Sequence, residues 1–169
     1  DQASMQKLLD STKDAYEHKV TIEWLLNELL PFCSYVDADP EPKIVSLEHV
    51  HHLGTEVAGQ LSSPPCSILE LVNALHPTPA VGGDPQTEAL TIISRVEGID
   101  RRRYAGPVGW VAADGDGEFA VGIRSAEVKA NTARLFAGVG LVEDSDPQSE
   151  LEETEAKFKT MLNTFLSTT

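Results

Sequence analysis

Apolar positions recur at helical spacing near both ends of the chain. Ala15, Ile22, Leu26, Leu29 and Leu30 follow roughly one stripe, and Pro31 stops it. Ser11-x-x-Asp14 stands before that stripe as a variant capping box, with Asp in place of the usual Glu. Residues 1–10 then read as a short preceding helix or a lead-in. At the other end, Asp146-Pro147 marks a helix start, and Leu151, Phe158, Leu162, Phe165 and Leu166 trace one stripe of a terminal helix. Between these lie two shorter helical runs. Ser67 caps one that continues through Leu75. Asp84-Pro85 opens the other, with Pro at the first helical position and Ala89, Ile92, Ile93 and Val96 as its buried stripe.

The rest reads as strands and turns. Asp37 to Pro42 is a loop, and short β-like runs surround Ile44-Val-Ser-Leu47 and Val50-His-His-Leu53. Val108 to Ala113 predicts a strand, and Asp114-Gly-Asp-Gly117 a hairpin turn. Glu118 to Val128 and Ala133 to Val142 predict two longer strands joined at Lys129-Ala-Asn-Thr132. The expected class is α+β, one domain, with an antiparallel meander near the end.

Charge narrows the partners. The net charge of −14 disfavours nucleic acid and anionic membrane, and the Arg101-Arg-Arg103 cluster is too short for a nucleic-acid arm. No stretch of about 20 apolar residues is present, so no transmembrane helix is expected. Nor does the first segment have the pattern of a signal peptide. Cys33 and Cys66 are far apart and read as reduced cytosolic thiols.

Five local patterns are candidates for chemistry, each weighed against a plainer account. Asp14 and Glu17 lie one helical turn apart and suit Mg²⁺, although a solvated face has the same spacing. On the last helix Glu150 and Lys157 point nearly the same way, with Glu153 at about 40–60° from them. An exposed Glu-to-Lys pair also accounts for this pattern. Arg124 on an alternating strand shares a face with Ala120, Gly122 and Ala126, and could grip a carboxylate or simply face solvent. Gly138 and Gly140 weaken a strand unless a ligand or another chain segment comes close. His49, His51 and His52 cluster, but alternation along a strand points His52 away from the other two, which is poor geometry for zinc.

Seven blocks in order then resemble one family. They are Lys13-Asp-Ala-Tyr-Glu-His18, His52-Leu-Gly-Thr55, His76-Pro-Thr-Pro-Ala-Val-Gly-Gly83, Arg103-Tyr-Ala-Gly-Pro-Val-Gly-Trp110, Val121-Gly-Ile-Arg-Ser-Ala126, Leu135-Phe-Ala-Gly-Val-Gly140, and Ser145 through Lys157. Together they resemble the chorismate-utilising enzymes, covering nearly the whole chain as the C-terminal portion of a chorismate-binding domain. The wording is most similar to isochorismate synthase, because Ala80 stands where anthranilate and aminodeoxychorismate synthases tend to carry threonine.

The resemblance implies the C-terminal half of a layered α+β sandwich, with antiparallel strands and flanking helices. It implies Mg²⁺ held by Glu17 and Glu153, with Asp14 and Glu150 nearby. His52 would contact the substrate ring. Tyr104, Arg124, the Gly138 amide and Lys157 would bind the enolpyruvyl carboxylate, and Ala80 would lie in the substrate pocket. The substrate is then chorismate and the product isochorismate, in a cytoplasmic protein; the pathway served, menaquinone or siderophore synthesis, stays open. The family's base, a lysine, and its acid, a glutamate, lie upstream of the Glu17 helix and are not found here. The expectation is a truncated piece with little or no activity of its own, and self-association through exposed edges. The alternatives are an ammonia-using synthase and a non-catalytic chorismate-binding remnant.

Overall fold

Two serine caps set the helices that frame the fold. In a computed structural model describing residues 2–46 and 51–166, Ser11 Oγ accepts from the Asp14 amide at 3.2 Å. It caps helix α2, Thr12–Leu29, which follows the short α1, Gln2–Leu9. Ser67 and Glu70 form a full reciprocal capping box at the start of α3, Ile68–Ala74. A short α4, Pro79–Gly82, then precedes α5, Gln86–Val96, and the chain ends in α6, Pro147–Leu166.

Among the described residues, eight strands pair as four antiparallel ribbons. Strand β1, Cys33–Ala38, pairs with β4, Val57–Leu61, with a register shift between Cys33 and Tyr35. Nested between them in sequence, β2, Lys43–Ser46, pairs with β3, His51–Gly54. Strand β5, Pro107–Val111, pairs with β6, Gly117–Val121, and β7, Ser125–Lys129, pairs with β8, Thr132–Phe136. The turns at Asp114–Gly117 and Lys129–Thr132 fall where the sequence predicts them. Gly115 takes a φ of 99° and Ala130 one of 51°. The fold is α+β, as expected.

Several boundaries differ from the sequence expectation. The region from Cys33 to Ala38 is a strand, so β structure runs into the stretch read as a loop. Pro85 is the cap residue of α5, not its first helical residue. The single strand expected over 118–128 is broken at Gly122–Arg124. There the Gly122 carbonyl accepts from the Ala105 amide at 2.9 Å, and the Gly122 amide donates to the Gly106 carbonyl at 2.8 Å. These contacts carry the β5–β6 pairing one position past Pro107–Val121, and the chain then turns away, with Arg124 at a φ of 46°. Arg124 therefore lies in a turn and does not share a strand face with Ala120 and Ala126. Strand β8 ends at Phe136, so Gly138 and Gly140 follow it in an unpaired segment. Leu47, His49 and Val50 lie outside the described residues.

The core is small. Among the described residues, Ala105 and Phe136 are the buried apolar side chains, still 6% and 5% exposed, and Phe136 stacks on Tyr104 with centroids 5.3 Å apart. The expected buried stripe of α5 is largely open: Ile92 and Val96 are 52% and 69% exposed. Leu151, Leu162, Phe165 and Leu166 of α6 are exposed too. The chain presents 12,099 Å² of accessible surface, against roughly 8,100 Å² for a folded monomer of its mass. Among the described residues, no helix is long and apolar enough to cross a membrane.

Candidate active site

Helices α2 and α6 meet at a half-buried cluster of charge. Glu17, one turn into α2, and Glu150, in the first turn of α6, both face Lys13. The Lys13 ammonium donates to Glu150 Oε1 and lies 3.7 Å from Glu17 Oε1. Glu150 is 6% exposed, although acidic side chains rarely reach such burial unless paired. One oxygen of each carboxylate, Glu17 Oε1 and Glu150 Oε2, is buried without a hydrogen bond. Buried polar atoms are normally satisfied, so a cluster with two such oxygens is suited to a further cation. Burial pushes the Glu17 carboxyl above its ordinary range. Lys13 opposes that, while Asp14, Glu150 and Glu153 add to it. Burial works against the Lys13 charge, but Glu150, Glu17 and Glu153 outweigh it and hold its pKa above the ordinary lysine value.

The two glycines after β8 let neighbouring groups approach. A Cβ on Gly140 would lie 2.7 Å from Glu17 Oε2, and one on Gly138 would lie 2.8 Å from the Tyr104 hydroxyl. Lys157 donates to the Gly138 carbonyl at 3.1 Å and pairs with Glu153 at 2.7 Å. The open segment 137–140 thus touches the metal-ligand candidate on α2, the tyrosine and the α6 lysine. Tyr104 is held by its stack on Phe136 and by the Arg101 guanidinium, 5.8 Å from its ring centroid. Burial raises its hydroxyl pKa, with Arg101 opposing.

A second group faces the same lysine. Arg124 donates to His52 Nε2 at 2.6 Å. Burial lowers the His52 pKa, the charges of Arg124, Lys157 and His51 lower it further, and Glu153 opposes them. On α2, His18 Nε2 is 2.7 Å from Thr55 Oγ1, tying the helix to the segment after β3. Ala80 lies on α4, which packs against α2.

Most of the sequence-derived candidates are therefore brought together. Glu17, Glu150, Glu153, Tyr104, Gly138 and Lys157 form one neighbourhood, and His52 with Arg124 forms another, adjoining it through Lys157. Glu150, not Glu153, is the α6 carboxylate joined to Glu17 through Lys13. The Asp14 amide donates to the capping Ser11 hydroxyl, and the Asp14 carboxylate adds negative charge beside Glu17. Sequence reasoning passed over the central position of Lys13, for which the four-residue spacing to Glu17 was the available signal. It also passed over the His18–Thr55 contact. Among the described residues no three His, Cys, Asp or Glu side chains form a ready metal cage. The two buried orphan oxygens, both hard carboxylate donors, nevertheless fit Mg²⁺, which typically uses one or two protein carboxylates and otherwise water or substrate.

A family model for chorismate binding enzymes matches residues 1–166. Isochorismate synthase MenF of Bacillus subtilis is 43% identical over 93% of this chain and 33% of its own length. Among solved structures, a Bacillus anthracis protein assigned as the 2,3-dihydroxybenzoate-specific isochorismate synthase DhbC superposes with a TM-score of 0.90 at 47% identity, covering 94% of this chain and 42% of that one. Anthranilate synthase component I of Streptococcus pneumoniae superposes with a TM-score of 0.83 at 31% identity, over 95% of this chain and 37% of that one. The chain spans about a third to two fifths of the length of the curated relatives it matches first. With the family's model running almost end to end, the chain belongs to the chorismate binding enzymes.

Proposed function

We propose that this chain carries the substrate- and metal-binding part of an Mg²⁺-dependent isochorismate synthase. The Glu17–Glu150 pair, with one buried, unsatisfied oxygen on each carboxylate, carries the reading. The isochorismate synthases MenF and DhbC of Bacillus subtilis, at 43% and 44% identity, support isochorismate synthase over anthranilate synthase at 31%, although the Escherichia coli MenF structure is also 31% identical; Ala80 agrees with it.

Chorismate has two carboxylates, and an acidic protein has to neutralise both locally. Glu17 and Glu150 would hold Mg²⁺, with Glu153 one turn along α6. The ion would supply positive charge for the ring carboxylate. Lys157, Arg124 and the Tyr104 hydroxyl would hold the enolpyruvyl carboxylate. The Gly138 carbonyl faces Lys157, so its part there is to orient the ammonium, while its amide remains a candidate donor. His52, kept neutral by burial and Arg124, would contact the ring.

Exchange of a ring hydroxyl for water needs a base to activate water and an acid to protonate the leaving hydroxyl. Lys157 is tied to Glu153 and the Gly138 carbonyl, so it offers no free amine. The proton transfers are proposed to fall to groups outside this chain, leaving it a binding unit with little turnover of its own. NMR of chorismate mixed with the chain, Mg²⁺ and an ammonium salt tests this. Magnesium-dependent broadening of the chorismate signals, with isochorismate as any product, supports the reading. An aminated product would overturn the choice of isochorismate synthase.

A further inference from the structure

We propose that Lys13 is an internal counter-cation that occupies the divalent-ion position between Glu17 and Glu150 and has to leave it when metal binds. The inference rests on reading that pair as the metal site.

The ammonium is positioned where a shared cation belongs. It contacts Glu150 across 137 residues of sequence and lies 3.7 Å from Glu17, its neighbour one turn along α2. Glu153 and Asp14 add negative charge to the same region. Left bare, these carboxylates would repel one another in a half-buried setting, so some cation is needed when metal is absent. A single positive charge does this incompletely. Lys13 satisfies Glu150 Oε1 and leaves Glu17 Oε1 and Glu150 Oε2 without hydrogen bonds. A divalent ion brings twice the charge and can use the oxygens that the ammonium leaves open. Both cannot sit there: an ammonium beside Mg²⁺ is repelled by it, and they compete for the same carboxylates.

Lys13 is also able to leave. Its side chain is 27% exposed and ends a flexible four-carbon stem, so the ammonium has a path to solvent without any movement of α2. Lys13 thus protects the metal-free site from its own charge and lowers the site's affinity for metal.

The test is metal binding by the 169-residue chain without chorismate. Mg²⁺ titration calorimetry and the electron-spin-resonance signal of free Mn²⁺ are compared for wild type, Lys13→Met, Lys13→Gln, Lys13→Arg and Glu150→Gln. The neutral Lys13 variants should bind both ions at least about tenfold more tightly than wild type, and the arginine variant should not. Without metal, the methionine variant should melt below wild type, with the gap closing at saturating Mg²⁺. Glu150→Gln should bind neither ion well. The glutamine variant, able to hydrogen-bond Glu150, covers the case in which methionine prevents folding. Equal or weaker binding by folded neutral variants would overturn the proposal and leave the metal site standing. No binding by wild type or any Lys13 variant would overturn both.

Discussion

Arg124 donates to Nε2 of His52 at 2.6 Å, joining a strained turn to a strand 72 residues earlier. A guanidinium has donors only, so Nε2 is the acceptor and His52 is neutral, with its proton on Nδ1. The Arg124 backbone has a φ of 46°, a conformation L-residues other than Asn and Asp rarely adopt. The position accepts that cost and places a cation against the histidine.

Arg124→Gly should separate these effects. The glycine relieves the positive φ, so the unfolding midpoint should hold or rise slightly. Chorismate affinity should fall by at least about tenfold with the charge gone. Denaturant unfolding and calorimetry on the same preparation check both. A variant that loses stability and keeps its affinity would reverse the assignment.

Acid should weaken the fold through its histidines. Burial lowers the pKa of His18, His52 and His76; on His52, Arg124 and Lys157 reinforce it and Glu153 opposes. An unfolded chain then takes up protons that the folded chain refuses. The stability from neutral histidines is complete above about pH 6.5 and is lost as pH falls below that toward the folded values. Glu17 works the other way, since its raised pKa lets the folded chain keep a proton that the unfolded chain releases above about pH 4.5. Urea midpoints should therefore drop between about pH 8 and 5.5, and the slope should flatten in a His18→Gln, His52→Gln double variant.

Gly140→Ala should impair the site more than the fold. The added methyl would meet the far end of the Glu17 side chain, which can swing aside with little cost to folding but would then leave its position facing Lys13. Magnesium affinity should fall by about tenfold or more, while the melting temperature moves little. Gly115→Ala gives the opposite control. Its φ of 99° opposes a side chain and nothing lies within 4 Å, so stability should drop and metal binding should not.

The uncovered apolar faces should drive self-association. Ile92 and Val96 on α5, Trp110 and Val108 on β5, and Phe165 and Leu166 on α6 are all exposed. Light scattering against concentration should give a mass above 18.3 kDa that rises with concentration. A clean monomer at high concentration would show that these faces do not pair.

The parts of the fold that were legible in sequence were the locally determined ones. Ser11 and Ser67 cap their helices through backbone contacts three residues on, and the Asp-Gly and Ala-Asn turns depend on their own residues. The break at Gly122–Arg124 was hidden, because Phe119, Val121 and Ile123 keep alternating through it. Gly122 still pairs with Ala105–Gly106, the residues just before β5, and it is the turn that follows, with Arg124 at a φ of 46°, that ends the ribbon. The open stripes of α5 and α6 were equally hidden, since periodicity identifies an apolar face without supplying anything to cover it. At the site, spacing set Glu150 and Lys157 on the same flank. Their partners divide them: Glu150 goes inward to Lys13, and Lys157 goes to Glu153 and the Gly138 carbonyl. No helical angle contains that information.

The most direct test of the account is calorimetric titration of chorismate into this chain with and without Mg²⁺, repeated for Glu17→Gln, with product analysis of each mixture. The account predicts binding that requires Mg²⁺, is lost in the variant, and yields little or no product. Equal binding with and without Mg²⁺, or no binding in either condition, would contradict it.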